Sequence, residues 1–266
     1  MLPVFTPEHV GGSGPPLLLI HGFTDTWHTW KLVLGRLERE FTVIAPTLPG
    51  HAGGPPLVDG RPALDQALEL LTARIEADGG GPIAVCGNSL GGYLALKLAE
   101  LGLASSVVAL APGAGWAPGD DELRDETLEQ FETMDPLVRQ AAPYAVQIAA
   151  TAQGRRATTA LLCGRTEDLP SEVVVSAILG AAGCSGCLQM VAEARSGGWP
   201  LDPGRLACPI RIVWGSADAI LPWPRAAAGF RATMPQADWV VLDGVGHAPQ
   251  LDVPLETAEL IAGFAR

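Results

Sequence analysis

Residues 1–113 alternate between short apolar runs and amphipathic segments. Four short runs are apolar, apart from a leading Thr42 and Ser106, which predicts buried strands at 17–20, 42–45, 83–86 and 106–110. The segments between them repeat their apolar positions with helical spacing, which predicts helices at 30–39, 63–77 and 90–101. Strands separated by helices indicate right-handed crossovers, so the predicted fold class is α/β with a mostly parallel, doubly wound sheet.

The alternation stops after residue 113, and the pattern stays helical over 116–199. It then resumes, with predicted strands and helices at 210–214, 225–233, 239–242 and 255–264. We therefore predict one α/β core, residues 1–113 and 205–266, interrupted by a helical insertion at 114–204. Residues 173–192 of the insertion carry no charge and have about the length of a membrane span. Glycines at 180, 183 and 186 interrupt this stretch, so we interpret it as buried or pocket-lining helices and expect no membrane span.

Composition excludes several kinds of partner. The 266 residues carry a net charge of −12, with 17% charged and 48% hydrophobic residues. A nucleic-acid binder or a protein docked on anionic lipid needs clustered Lys and Arg, so neither partner is expected. The high apolar content also excludes a disordered polyanion. What remains is a globular protein with a small-molecule ligand, as a monomer or a homodimer.

The five cysteines favour reduced thiols and a cytoplasmic location. Cys184 and Cys187 form a single C-x-x-C without a second pair or a nearby histidine, so buried small side chains are a better interpretation than zinc ligands. No other spacing indicates a metal or an organic cofactor. Residues 1–14 lack the basic and apolar regions of a signal peptide, so none is expected.

A candidate nucleophile lies between the third predicted strand and the helix after it. The sequence there is Gly87-Asn88-Ser89-Leu90-Gly91, which matches G-x-S-x-G. The motif alone is weak evidence, but the strand–turn–helix context is typical of a nucleophile elbow. Small flanking residues permit the tight turn, and the helix N-terminus places positive dipole character beside the hydroxyl.

A serine nucleophile needs a base, and the base needs an acid to orient it. Among the five histidines, His247 follows the last predicted strand, where it reaches the carboxyl edge of the sheet. Asp218 follows the strand at 210–214 and lies at the same edge. The predicted catalytic set is therefore Ser89, Asp218 and His247.

These residues resemble the α/β-hydrolase superfamily, specifically serine carboxylesterases with a helical cap, and the resemblance covers nearly the whole chain. Its motifs occur in order: His21-Gly22-Phe23, Pro49-Gly50-His51, the Ser89 elbow, then Asp218 with Gly246-His247. The resemblance implies that the backbone N–H groups of Phe23 and Leu90 form an oxyanion hole and that residues 116–199 form the cap. Ala52 follows Pro-Gly-His where the superfamily usually has Gly, which alters one wall of the expected site.

The predicted function is hydrolysis of carboxylic esters of small to medium, mostly apolar substrates, through an acyl-enzyme on Ser89. The dehalogenases and epoxide hydrolases of this fold use an aspartate nucleophile, and the epoxide hydrolases also need two cap tyrosines. Serine at position 89 and the presence of only two tyrosines disfavour both activities. Thioesterase, lactonase, carbon–carbon bond hydrolase and perhydrolase activities share the triad and stay open. A ligand-sensing receptor with a vestigial triad is the alternative from another class.

Large apolar side chains are the candidates for lining the substrate pocket, and each also fits the cap core: Phe23, Trp116, Phe131, Met134, Tyr144, Met190 and Trp199. Among the polar candidates, His21 is expected to brace the oxyanion loop rather than to transfer protons. His28 and His51 are expected at loop or surface positions, and Asp25 at a polar loop tip.

Overall fold

In this computed structural model, which describes residues 2–197 and 199–265, one sheet forms the centre of the chain. The described strands are β1 Glu8–Gly12, β2 Pro16–Ile20, β3 Thr42–Pro46, β4 Ile83–Asn88, β5 Ala104–Leu110, β6 Ile210–Gly215 and β7 Asp238–Leu242. They are ordered β1-β3-β2-β4-β5-β6-β7, and all neighbours are parallel except β1 and β3. The predicted α/β class with a mostly parallel sheet is confirmed.

The antiparallel edge strand β1 is absent from the sequence prediction. Its residues are Glu-His-Val-Gly-Gly, and their burial alternates between exposed and partly buried. One apolar residue and two glycines give no strand signal, since glycine is depleted in strands. The strand forms because its backbone pairs with the edge of β3, from Glu8 opposite Pro46 to Gly12 opposite Thr42.

Strand β2 shows why the core strands are rich in apolar residues. Leu18 and Ile20 belong to the apolar cluster on one face of the sheet, whereas Leu17 and Leu19 belong to the cluster on the other. All four side chains are fully buried. A parallel sheet is covered on both faces, so its central strands need apolar residues on both faces.

Helices cover both faces of the sheet. They are α1 Lys31–Leu37, α2 Ala63–Ala77, α3 Leu90–Glu100, α9 Ala228–Thr233, α10 Pro249–Asp252 and α11 Pro254–Ala262. Side chains of α2, α3 and α9 pack in the cluster on one face. Those of α1 and α11 pack in the cluster on the other.

Helices α4 to α8 lie between β5 and β6, within the predicted insertion. They are α4 Asp121–Ala141, α5 Ala145–Ala149, α6 Ala152–Thr159, α7 Ser171–Ala182 and α8 Cys187–Gly197. The uncharged stretch 173–192 falls on α7 and α8, and Val173, Val174 and Ile178 are buried in a cluster with α5. The boundaries 113/114 and 204/205 between core and cap stay a prediction.

Over residues 2–197 and 199–265, no single helix has the length and apolar character needed to cross a membrane. The helices Ser171–Ala182 and Cys187–Ser196 meet those criteria only as a pair, and they are bent by 67° relative to each other.

Candidate active site

Ser89 lies at the junction of β4 and α3 with a backbone that non-glycine residues rarely adopt, φ 56° and ψ −116°. Three hydrogen bonds hold this conformation. The Ser89 amide donates to the Leu110 carbonyl at 2.9 Å, and the Ser89 carbonyl accepts from the amides of Tyr93 at 3.0 Å and Gly113 at 2.9 Å. Such strain persists only where its surroundings fix it, and here it displays the hydroxyl on the sharp turn of a nucleophile elbow.

The glycines beside Ser89 are required by close backbone contacts. A Cβ on Gly87 would lie 2.0 Å from the Gly91 carbonyl oxygen, and a Cβ on Gly91 would lie 2.0 Å from the Ile20 carbonyl oxygen. Neither distance is compatible with a side chain. The G-x-S-x-G spacing therefore reflects the packing of the turn against β2.

His247 and Asp218 form a buried hydrogen-bonded pair, with His247 Nδ1 2.8 Å from Asp218 Oδ2. Both residues are buried, and each follows a strand, β7 and β6 respectively. The other carboxylate oxygen, Asp218 Oδ1, accepts from the amides of Ile220 at 2.9 Å and Leu221 at 2.8 Å. These bonds fix the carboxylate so that it orients the imidazole and leaves Nε2 for the cavity.

Two cavities meet beside Ser89. The first, which we call the histidine cavity, has a volume of about 410 Å³ and is lined by Ser89 and His247 together with Asn88 and Asp25. The second, the tryptophan cavity, has a volume of about 50 Å³ and is lined by Leu90, Trp116 and Trp199 among others. Ser89, Phe23, Phe131 and Ile220 line both. The fold thus brings all members of the predicted triad to one place, with space on either side of the hydroxyl.

Of the predicted pocket residues, six line a cavity. Phe23, Trp116, Phe131, Met190 and Trp199 line the tryptophan cavity, and Met134 lines the histidine cavity. The prediction that Tyr144 lines the pocket is wrong, because its side chain is 62% exposed and it lines neither cavity. It belongs to the short 3₁₀ segment after α4, which turns its ring outward.

The backbone around Phe23 and Leu90 is suited to binding an anion. Leu90 is the first residue of α3, so its N–H has no partner within the helix. The loop before Phe23 lies against the nucleophile, since a Cβ on Gly22 would be 3.4 Å from Ser89 Cβ. Phe23 itself packs edge-on against Phe131 of α4, with 4.8 Å between ring centroids.

His21 braces this loop. Its Nε2 accepts from the Leu48 amide at 2.9 Å, so Nδ1 carries the proton and donates to the Gly22 carbonyl at 2.8 Å. Full burial, followed by the neighbouring His51, lowers the pKa of His21 well below its ordinary value and keeps the ring neutral. The structure therefore supports the predicted bracing role.

The expectation that His28 and His51 lie at the surface is wrong. Both side chains are buried, at 4% exposure each. Burial is the main cause that lowers the pKa of each imidazole to about 4. His51 Nδ1 donates to the Pro49 carbonyl at 3.0 Å, and its ring stands 4.9 Å from that of His21. Polar residues in turn-rich segments resemble surface residues in the sequence, but these segments fold against the inserted helix α7.

A polar network that the sequence did not reveal fixes the loop of His247. Asn88 Nδ2 donates to the carbonyls of Leu110 at 3.1 Å and His247 at 3.0 Å. Gln250 Nε2 in turn donates to Asn88 Oδ1 at 3.0 Å and to Thr29 Oγ1 at 3.1 Å. Asn88 occupies the first variable position of G-x-S-x-G. A polar residue directly before Ser89 was the only sign of this network in the sequence.

Asp252 connects the same loop to the inserted segment. Its Oδ2 accepts from the amides of Gly246 and Gly164, and its Oδ1 accepts from the amide of Arg165, all at 2.8 Å. The Ala248 amide also donates to the Leu162 carbonyl at 2.8 Å. The position of His247 therefore depends on residues 162–165, which lie between α6 and α7.

Asp25 differs from the predicted polar loop tip because it lines the histidine cavity. Its Oδ1 accepts from the Thr26 amide at 2.8 Å. Burial raises the pKa of this carboxyl to about 6, against the opposing effect of hydrogen bonds from Thr26 and Thr29. Residues of the inserted helices α4 and α7 line the same cavity, and no pattern in the loop itself indicates this.

In the described part of the chain, no group of three or more His, Cys, Asp or Glu residues is arranged to hold a metal ion. Cys184 and Cys187 are free thiols in buried positions, and burial raises the pKa of each to about 12.

Comparison with known proteins agrees with this geometry. A family model described as the alpha/beta hydrolase family matches residues 17–260. The epoxide hydrolase EphH of Mycobacterium tuberculosis is 31% identical over 182 residues, covering 68% of this chain and 84% of that protein. The pimeloyl-acyl-carrier-protein methyl ester esterase of Aromatoleum aromaticum is 29% identical over 267 residues, covering 95% of this chain and 98% of that protein.

Among solved structures, a serine hydrolase involved in carbazole degradation superposes with a TM-score of 0.72 at 19% identity. That match covers 97% of this chain and 93% of the other. The chain belongs to the alpha/beta hydrolase family.

Proposed function

We propose that this hydrolase cleaves carboxylic esters of small to medium, mostly apolar molecules through an acyl-enzyme on Ser89. The observation that carries the proposal is the buried His247–Asp218 pair facing the same cavity as the strained Ser89. The likeness to a methyl ester esterase over nearly the full length of both chains supports it.

In the acylation step, Ser89 Oγ attacks the ester carbonyl while His247 Nε2 takes its proton. Asp218 stabilises the resulting imidazolium and holds the tautomer, since its carboxylate accepts from Nδ1. His247 then donates the proton to the leaving alkoxide, and the alcohol departs. The acyl group stays on Ser89.

The N–H groups of Phe23 and Leu90 stabilise the negative oxygen of the tetrahedral intermediate. Loss of one such donor typically costs about 3 kcal/mol of transition-state stabilisation. His21 contributes indirectly, because its hydrogen bond to the Gly22 carbonyl holds the loop that presents Phe23.

In the deacylation step, His247 takes a proton from water, and the hydroxide attacks the acyl carbon. The same oxyanion donors act again, and Ser89 receives the proton as the acid leaves. Every atom that this cycle needs is supplied by the substrate, one water and the triad.

This chain is similar to the epoxide hydrolase EphH, but the positions of its tyrosines argue against epoxide hydrolysis. Tyr93 donates its hydroxyl to the Pro200 carbonyl at 2.9 Å, and Tyr144 is largely exposed. Among the described residues, no tyrosine lines either cavity, and the elbow carries serine. An epoxide oxygen would therefore lack its activating hydroxyls.

Kinetics with a p-nitrophenyl ester panel test the proposal. We expect hydrolysis by the wild type and a loss of about 10³-fold or more in kcat for Ser89→Ala, since the nucleophile is removed. Ser185→Ala, which lies between α7 and α8 and outside the catalytic set, is the matched control and should retain hydrolysis.

Three results would contradict the proposal. If no ester is hydrolysed and a small ligand only stabilises the folded protein, a receptor is favoured. Cleavage of a vinylogous diketone at rates far above those of any ester would favour a carbon–carbon bond hydrolase. Full activity of Ser89→Ala would remove Ser89 from the mechanism.

A further inference from the structure

This inference rests on the proposed function. On that basis, the position of His247 indicates which half of the ester each cavity binds. The imidazole must reach the oxygen of the departing alcohol, because it donates the proton that lets this group leave. His247 lines the histidine cavity and is absent from the lining of the tryptophan cavity. The alcohol half of the ester therefore occupies the histidine cavity, and the acyl half occupies the smaller tryptophan cavity.

The tryptophan cavity suits a short apolar acyl group. Its volume of about 50 Å³ is small, and it is walled by aromatic and aliphatic side chains such as Trp116, Trp199 and Leu221. Glu193 is the charged residue that reaches it, and its carboxylate already accepts from the Ala63 amide at 2.7 Å and from Gln189 Nε2 at 2.9 Å. An acyl chain in the tryptophan cavity would contact mainly carbon atoms.

The histidine cavity differs because two carboxylates line it, Asp25 and Asp135. Asp135 is compensated by a two-pronged ion pair with Arg139, at 2.9 Å and 2.8 Å. Among the described residues lining this cavity there is no lysine or arginine, so no cation there faces Asp25.

Asp25 is also held in place. Its Oδ1 accepts from the Thr26 amide at 2.8 Å, and the nearby Thr29 hydroxyl favours the ionised carboxylate. Thr29 Oγ1 accepts from Gln250 Nε2, which joins Asp25 to the network that fixes His247. A carboxylate fixed at a known place, partly buried and without a cation, is a strong acceptor for a ligand.

We propose that Asp25 is a specificity-determining residue that binds a hydrogen-bond donor, a hydroxyl or a protonated amine, on the alcohol half of the ester. The substrate class is then a short-chain apolar acid esterified to an amino alcohol or a diol. Charge-assisted hydrogen bonds of this kind contribute enough to favour the donor-bearing substrate about 10-fold to 100-fold. The raised pKa of Asp25, about 6, still leaves it mostly ionised at neutral pH.

Matched esters of one acid test the inference. The wild type is assayed with 3-methylbutyl butyrate, with its isostere 2-(dimethylamino)ethyl butyrate, and with 3-hydroxypropyl butyrate against butyl butyrate. The readout is the ratio of kcat/KM within each pair, since a purely structural role of Asp25 would change both members alike. The variants are Asp25→Asn, which keeps the acceptor for the Thr26 amide, and Asp25→Leu, which removes charge and acceptor together.

We expect at least one donor-bearing ester to exceed its carbon isostere by about 10-fold or more in the wild type, and the ratio to fall to about 1 in Asp25→Leu. If the wild type prefers the amine ester and Asp25→Asn abolishes this preference, the bound donor is a cation. If the wild type prefers the hydroxyl ester and Asp25→Asn retains this preference, the bound donor is neutral. Asp59→Asn, a change of the same charge at an exposed loop position, should leave the ratios unchanged.

Two results overturn the inference while the proposed function stands. One is hydrolysis of all four esters without preference within the pairs, and the other is a preference that both Asp25 variants retain. If none of the esters is hydrolysed, the proposed function fails and this inference fails with it.

Discussion

Ser89 shows how neighbouring residues hold a strained backbone. Its left-handed backbone is secured by bonds from β5 and the segment after it, through the Leu110 carbonyl and the Gly113 amide. The turn also needs Gly91 to lie directly against β2. Packing around the serine, rather than its own preference, thus sets the geometry of the elbow.

Gly91→Ala should destabilise the fold strongly. Its Cβ would lie 2.0 Å from the Ile20 carbonyl oxygen and 2.6 Å from that of His21, and these backbone atoms have no room to move. We expect the free energy of unfolding to fall by about 3 kcal/mol, measured by urea denaturation.

Gly35→Ala is the matched control for that change. Gly35 lies within α1, and a Cβ added there would have no atom within 4 Å. Alanine has the higher helix propensity, so this variant should gain up to about 1 kcal/mol. Equal stabilities of the two variants would show that the contact at Gly91 does not constrain the elbow.

At the scale of elements, the loop between β7 and α10 determines where His247 lies. Asp252 of α10 binds the amides of Gly246, Gly164 and Arg165, so it holds the histidine loop and the inserted segment in one arrangement. Because all three donors are backbone groups, the aspartate fixes position without taking part in proton transfer.

Asp252→Ala should therefore lower activity as well as stability. Misplacement of His247 should reduce kcat by about 10-fold to 100-fold. The three donors left without a partner should lower the free energy of unfolding by about 2 kcal/mol. The measurements are ester kinetics and urea denaturation of the same preparation.

Glu256→Ala serves as the control for Asp252→Ala, since Glu256 is an exposed acid in the first turn of α11. Its loss should cost about 0.5 kcal/mol through the helix dipole and leave kcat unchanged. If Asp252→Ala lowered stability with kcat intact, Asp252 would hold the fold without positioning the base.

The elements that were predicted from the sequence are those whose own residues determine their structure. The buried strands β2 and β4 carry apolar runs, 17–20 and 83–86, and the elbow has a spacing that its packing demands. Strand β1 escaped prediction because pairing with β3, not its own residues, makes it a strand. Tyr144, His28 and His51 were misplaced because burial depends on how the insertion covers the core.

At the scale of the whole molecule, the insertion and the core together make the two cavities. Phe131 and Met190 come from helices α4 and α8, while Phe23, Ser89 and Ile220 come from core loops. The grouping of Ser89, Asp218 and His247 was predictable because motif spacing and chain order indicate it. The proposed role of Asp25 was not predictable, because it depends on which cavity its loop reaches and on the absence of a cation among the described lining residues.

The buried histidines make the stability of the whole molecule sensitive to acid. The folded state keeps His51 neutral by lowering its pKa from 6.5 to about 4, whereas the unfolded chain protonates it below about 6.5. The free energy of unfolding should therefore fall as pH decreases from about 6.5 to about 4, by about 3 kcal/mol from His51 alone. Asp25, whose pKa is raised, acts in the opposite sense over the range between its ordinary value and about 6.

Urea denaturation at pH 7 and pH 4.5 measures this effect. His51→Gln has no imidazole to protonate, so its stability should fall less between the two pH values than that of the wild type. Equal losses in wild type and variant would show that His51 does not contribute to the acid sensitivity.

The central claim is that Ser89 is a nucleophile activated by His247. Labelling with a fluorophosphonate ester, followed by peptide mass spectrometry, measures this most directly because the reagent forms a stable adduct with an activated serine. We predict one adduct per chain, on Ser89, absent from Ser89→Ala and formed much more slowly by His247→Gln. An adduct on another residue, or no adduct on the folded wild type, would contradict the account.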